Sequence, residues 1–137
     1  MLLESIERKN GAITDAEDIP DVLALGCPTR KTLALLSSIW TVLVLHVLAD
    51  GTHRYSEIKS RVEGVTHKML AQTLRALERD GLLVRKAYPV VPPRVEYTLS
   101  DLGHSLVPLL DSLCRWSEDH YREIESHRSG FGEVGAL

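Results

Sequence analysis

The sequence has no uninterrupted apolar run of about 18 residues, and without one no helix can cross a membrane. It has only two cysteines, Cys27 and Cys114, and no Cys-x-x-Cys pair. A disulfide scaffold and a zinc ribbon are thereby excluded, and both cysteines are expected as thiols. Acidic residues interrupt the first 26 positions at Glu4, Glu7, Asp15, Glu17, Asp18 and Asp21, so a signal peptide is not expected and a cytoplasmic location is. No Gly-x-Ser-x-Gly, His-Glu-x-x-His or phosphate loop occurs, so the chain is not expected to be an enzyme or to carry a cofactor. Gly130-x-Gly132-x-x-Gly135 does spell the dinucleotide-binding fingerprint. It is set aside because that motif works only between a strand and a helix, and two residues follow it here. His120, Glu123 and His127 share one helical face, but a charged helix end produces that pattern without a metal, and none is expected.

With 137 residues, 44% of them apolar and 26% charged, the chain has the composition of one globular domain. The formal charge of -3 is unevenly spread. Between Thr52 and Arg94 there are nine basic residues against four acidic ones, whereas the remainder holds seven against fifteen. A basic middle between acidic flanks fits a surface that faces a phosphate backbone.

Local patterns divide the chain into helices and a hairpin. Pro28 suits the first position of a helix, where its missing N–H costs nothing, which puts Cys27 at the N-cap. Leu36, Ile39, Trp40, Leu43, Val44, Val47 and Leu48 form an apolar stripe, divided near Ser37-Ser38 and ending near Gly51. Ser56 is expected to cap a short helix over 57–62 with Ile58 and Val62 inward, stopped by Gly64. Thr66 caps the next helix, in which Leu70, Leu74 and Leu77 face the core and His67, Lys68, Ala71, Gln72, Arg75 and Arg79 face outward until Asp80-Gly81. Trp40 is assigned to the same core. Two short helices joined by a Gly-containing turn match a helix-turn-helix, whose second helix enters a major groove. Beyond Gly81 the period changes to two, with Val95, Tyr97 and Leu99 alternating against Glu96 and Thr98, and a Pro-containing connection marks a hairpin, the wing. Ser100 then caps a last helix whose Leu102, Leu106, Leu109, Leu113, Trp116 and His120 recur at coiled-coil spacing. Leu110 and Ile124 lie off that seam, so one face of this helix serves its own domain and the other a second subunit; Pro108 should bend it.

The chain resembles the HxlR-type winged helix-turn-helix transcription regulators from Cys27 to about Trp116. The likeness lies in Cys27-Pro28, Ile39-Trp40, Tyr55-Ser56-Glu57-Ile58, Gly64-Val65-Thr66-His67-Lys68-Met69-Leu70, Leu74-Arg75-x-Leu77-Glu78-x-Asp80-Gly81-Leu82, Pro92-Pro93-Arg94-Val95-Glu96-Tyr97 and Ser100-x-x-Gly103. Where that family usually has Gly and a Lys or Arg before the Trp, this chain has Ser37, Ser38 and Ile39. The resemblance implies a bacterial homodimer on palindromic double-stranded DNA. It places Thr66, His67, Lys68, Met69 and Gln72 at the exposed start of the reading helix, with Arg75 farther along. Arg54 and Ser56 fall where the preceding helix meets the backbone, and Arg94 and Arg85 fall on the wing. Gln72 suits adenine, and Lys68 suits guanine or phosphate. The free amides under the Thr66 cap suit a phosphate oxygen.

Several regulators of this type sense electrophiles or oxidants through a cysteine at the place of Cys27. A helix N-terminus beside Arg30 and Lys31 is a setting that lowers a thiol pKa. The alternative is a small buried hydrophobe. Cys114 is assigned to packing. The expected fold is therefore α+β, mainly α. An N-terminal arm (1–26) would join the dimer contact, ahead of a winged helix-turn-helix (27–100), a dimerisation helix (101–127) and a flexible tail (128–137). The expected function is that of a transcription regulator, most simply a repressor, on an inverted-repeat operator, with an electrophile or oxidant as signal. The rival is a winged-helix protein-interaction module without DNA binding. It would want exposed aromatics on the reading helix, where this chain offers His67, Lys68, Gln72 and Arg75.

Overall fold

The computed structural model describes residues 21–134; the first twenty residues of the expected N-terminal arm and the last three of the tail lie outside them. Two compact units divide at Ser37/Ser38. In the first, α1 (Pro28–Leu35) starts at an extended Cys27, with Pro28 in the opening turn as the sequence indicates.

The second unit carries the winged helix. Its α2 (Ile39–Leu48) is almost wholly apolar, and Val44, Leu45, Val47 and Leu48 are buried, as expected of a helix packed on more than one side. Trp40 is only half-buried and Ile39 is exposed, so the core begins later along α2 than the stripe suggests. The indole rim lies over the Gly64 turn, where a Cβ added to Gly64 would meet Trp40 Cη2 at 3.8 Å.

After β1 (His53–Arg54), α3 begins at Tyr55 and runs to Arg61, two residues ahead of the start expected from Ser56. The cause is the strand. Pairing of His53 with Tyr97 and Arg54 with Glu96 holds Arg54 extended, and the Glu57 carboxylate accepts its backbone N–H at 3.3 Å. Arg54, not Ser56, is the N-cap. Gly64 has φ of +87°, a value that a side chain resists, and turns the chain into α4 (His67–Arg79). Thr66 caps α4 by accepting the Met69 N–H at 3.1 Å. Leu70, Leu74 and Leu77 are buried beneath it, each contributing about 1.5–3 kcal/mol. The end of α4 is a Schellman turn: Leu82 N–H reaches the Leu77 carbonyl at 2.9 Å, Gly81 N–H reaches Glu78 at 3.0 Å, and Gly81 takes φ of +76°.

Strands β2 (Leu83–Tyr88) and β3 (Arg94–Leu99) pair antiparallel as the wing, and β1 joins the far edge of β3, giving the order β1-β3-β2. Leu83, Tyr97 and Leu99 turn to the core. The final helix, α5 (Asp101–Val134), is continuous past the expected boundary at 127 and includes Pro108, Gly130 and Gly132. A helical Gly costs about 1 kcal/mol, too little to stop an established helix. Leu110 is buried in the domain core, while Leu102, Leu109, Leu113 and Trp116 are exposed on α5.

Candidate nucleic-acid interface

The polar flank of α4 is open to solvent. His67, Lys68, Gln72 and Arg75 are exposed, and Met69 is 40% exposed beside them. Because the Thr66 hydroxyl takes the third amide, the N–H groups of His67 and Lys68 have no intrahelical acceptor, and the positive end of the helix faces outward with them. Lys68, Arg75 and Arg85 have no carboxylate within ion-pair distance among the described residues. Their charge is available to an external anion.

Residues far apart in sequence meet beside the turn end of the wing. Arg54, Tyr55 and Ser56 from the start of α3 and Pro93, Arg94 and Val95 from the wing line a cleft of about 310 Å³. Three of the expected backbone contacts, Arg54, Ser56 and Arg94, thus share one site. Arg94 is less free than its place on the wing suggests. Its guanidinium lies 4.2 Å from the Tyr88 ring centroid, and its Nε, which has no hydrogen-bond partner among the described residues, is 3.4 Å from Glu96 Oε1. Antiparallel register sets Arg94 opposite Tyr88, which brings them together. A second hollow, about 230 Å³, lies between α4 and the sheet and is lined by Tyr55, Arg75, Glu78, Arg85 and Tyr97 among others.

The expected seam residues lie on α5. Leu109, Leu113 and Trp116 are 55%, 51% and 52% exposed, Leu106 is half-buried and His120 is exposed. Trp116 and His120 stack with ring centroids 4.9 Å apart, and His120 Nδ1 donates to the Trp116 carbonyl at 2.9 Å.

Cys27 is 6% exposed. Burial alone would raise its thiol pKa, but the polar N–H and O–H groups of Arg30 and Thr29 at the start of α1 favour the thiolate and hold the pKa below the ordinary thiol value. Asp21 opposes them weakly. Cys114 is half-buried, and both cysteines are free thiols.

A family model described as HxlR-like helix-turn-helix matches residues 35–125. The chain belongs to the HxlR-like helix-turn-helix family. It is 46% identical over 104 residues to the HTH-type transcriptional regulator YtfH of Escherichia coli K12, covering 76% of this chain and 82% of that one. Among solved structures, the ytfH regulator from Salmonella typhimurium superposes with a TM-score of 0.72 at 43% identity, over 81% of this chain and 99% of that one. The redox regulator HypR in its oxidized form superposes at 0.65 with 34% identity, over 69% and 97%. The protein is thus a transcription regulator of the helix-turn-helix type, in a family of regulators, not enzymes. No single described helix is long and apolar enough to cross a membrane.

This HxlR-like domain also holds a charge cluster that the sequence reading passed over. His53 Nε2 lies 2.6 Å from Asp50 Oδ1, His53 Nδ1 lies 3.2 Å from Glu57 Oε2, and Arg61 Nη1 lies 3.1 Å from Asp50 Oδ2. Spacings of three and four, 50 to 53 and 53 to 57, are its sequence signal, whereas the Asp50–Arg61 pair spans eleven residues and is set by the fold. The Asp50 hydrogen bond raises the His53 pKa above 6.5, partial burial works against it, and Glu57 adds to the rise. His53 in turn lowers both carboxylates, with Arg61 aiding at Asp50 and the Arg54 amide at Glu57. The raised histidine stabilises fully below its unfolded value of 6.5 and loses that contribution as pH climbs through the folded value. The lowered carboxylates stabilise fully above their unfolded values of 3.8 and 4.5 and lose it as pH falls through the folded ones. The cluster therefore contributes most between pH 4.5 and 6.5. Melting temperatures of the wild type and His53→Gln should differ in that window and converge once pH has climbed through the raised folded value of His53. A constant difference up to alkaline pH would assign His53 a packing role alone.

Proposed function

We propose that the protein is a sequence-specific DNA-binding repressor that acts in the cytoplasm as a homodimer on an inverted-repeat operator. The observation that carries this reading is α4: leucines at 70, 74 and 77 hold it from beneath, while His67, Lys68, Gln72 and Arg75 project from its open side. A helix so mounted fits the major groove. Thr66, Met69 and the two free amides complete its leading end, and Arg54, Ser56 and Arg94 take backbone phosphates. Two such helices related by a two-fold axis would enter grooves about 34 Å apart. Residues 27–100 form the reading domain, 101–127 supply the dimer helix through Leu106, Leu109, Leu113, Trp116 and His120, and the N-terminal arm adds to the contact.

If six to eight phosphates are neutralised per dimer, log affinity should fall against log salt with a slope of about -5 to -7. Fluorescence anisotropy on a duplex recovered by selection from genomic fragments measures it. A slope near zero on that duplex would overturn the docking, and no selective duplex at all would favour a protein-interaction module.

Cys27 is the proposed signal receiver. Its pKa is lowered by the polar groups of Thr29 and Arg30 at the helix start, so a larger fraction is thiolate, the form that attacks electrophiles. The likeness to HypR, a redox regulator, supports a redox response in this chain. With diamide, two Cys27 thiols from paired subunits would form a disulfide as the reagent takes up two electrons and two protons; with a quinone, the thiolate would add to the ring. Cys27→Ser should retain operator binding and lose the response to both reagents. A Ser variant that still releases DNA on diamide treatment would place the switch elsewhere.

A further inference from the structure

Tyr55 and His67 open the two helices of the helix-turn-helix, and their side chains meet across the turn. The rings are nearly parallel, at 10°, with centroids 5.9 Å apart. The Tyr55 hydroxyl lies 3.0 Å from His67 Nδ1 and 3.3 Å from the His67 carbonyl oxygen. A hydroxyl has one proton, and a carbonyl can only accept. If that proton went to Nδ1, the hydroxyl and carbonyl oxygens would face each other with no hydrogen between them. Both contacts are satisfied at once in one arrangement: the Tyr55 O–H donates to the His67 carbonyl, and His67 Nδ1–H donates to the Tyr55 oxygen. The neutral imidazole then carries its proton on Nδ1. Nε2, on the other side of an exposed ring and without a partner among the described residues, presents a lone pair.

We propose that Tyr55 is a positioning residue for base recognition, holding His67 in the Nδ1–H form so that Nε2 accepts a hydrogen bond in the major groove. This rests on the reading of α4 as the groove helix. Major-groove donors are the exocyclic amines of cytosine and adenine, whereas guanine and thymine present acceptor oxygens. An Nε2 lone pair therefore favours cytosine or adenine at one position of one strand and is repelled by guanine O6, thymine O4 and phosphate oxygens. The opposite tautomer would reverse that preference. Tyr55 touches no base; it selects which of two hydrogen-bonding characters His67 offers.

The first test needs no DNA. Long-range ¹H–¹⁵N correlation spectra of the full chain with labelled histidine, at about pH 8.5 where an ordinary imidazole is neutral, report the tautomer directly. The wild type should show His67 protonated at Nδ1, and Tyr55→Phe should shift it toward Nε2–H. A wild-type His67 already protonated at Nε2 would overturn the proposal while leaving the DNA-binding reading intact. Should Tyr55→Phe fail to fold, the wild-type spectrum still decides. The second test selects bound duplexes from a random library with wild type, Tyr55→Phe, His67→Ala and the double variant at the same pH. Wild type should prefer cytosine or adenine at one position by about fivefold, the value of one hydrogen bond. Tyr55→Phe should flatten or invert that position only, and it should change nothing further on the His67→Ala background. Equal preferences in wild type and Tyr55→Phe would overturn the positioning role. If no variant enriches any sequence, the DNA reading fails, and the reader role fails with it.

Discussion

Replacing Gly103 with alanine is expected to lower the melting temperature by roughly 10 °C or more. An added Cβ would land on the Leu82 carbonyl oxygen, closer than non-bonded atoms come, and would sit 3.1 Å from the Leu82 carbonyl carbon and 3.2 Å from Leu99 Cδ2. The Leu82 carbonyl has no room to retreat, because it accepts the Ser100 N–H at 3.0 Å while the Ser100 hydroxyl donates to the Gly81 carbonyl and accepts the Gly103 N–H at 3.1 Å. Nor can α5 withdraw freely, since Leu110 anchors it in the same core. Overpacking against backbone of this kind costs about 3 kcal/mol. The knot joins the Schellman turn that ends α4 to the cap that starts α5, so the same substitution should also change the angle between the groove helix and the proposed dimer helix. Gly130→Ala is the control on the same helix. Nothing lies within 4 Å of its added Cβ, and it should stabilise by about 0.5–1 kcal/mol. Thermal denaturation of the two variants decides the matter, and equal melting temperatures would remove the Leu82 contact as the reason for the glycine.

Leu109→Glu combined with Leu113→Glu is expected to convert the proposed dimer to monomer at micromolar concentration and to weaken operator binding by about 10²- to 10⁴-fold. The two leucines stand on the exposed side of α5, four residues apart, with Trp116 three residues beyond. Each leucine covered by a partner helix adds about 1.5–3 kcal/mol. A carboxylate there would have to be desolvated without a counter-charge, so the substitution does more than remove contact area. Binding by one subunit forfeits the second half-site, which is why the affinity loss is so much larger than the loss at any single base contact. Sedimentation velocity gives the assembly state, and titration of whole and half operators gives the affinities. The half-site affinity should survive. A double variant that remains dimeric and binds the whole operator normally would remove α5 as the subunit contact.

Most of the domain could be read from local pattern. Pro28, Thr66 and Ser100 act within one helical turn, and the structure places the three helix starts at the residues they indicate. The same holds for Gly64 and Gly81 as stops and for Leu70, Leu74 and Leu77 as the buried side of α4. Features of medium range were less legible. The start of α3 at Tyr55 depends on β1, a strand of two residues whose only evidence is its partner in β3. The continuation of α5 to Val134 depends on cooperative propagation through Gly130 and Gly132, which local propensity argues against.

The amino-acid order by itself determined the helix-turn-helix, the wing, the polar flank of α4 and the apolar stripe along α5, because caps, glycine turns and apolar periodicity operate between residues a few positions apart. Tertiary structure alone decided that the Tyr55 hydroxyl meets His67, that Arg94 lies across Tyr88 beside Glu96, and that Gly103 abuts the Leu82 carbonyl. Each of these joins two elements whose relative placement is set by the packing of a shared core, and no spacing along the chain encodes a distance that only that packing creates.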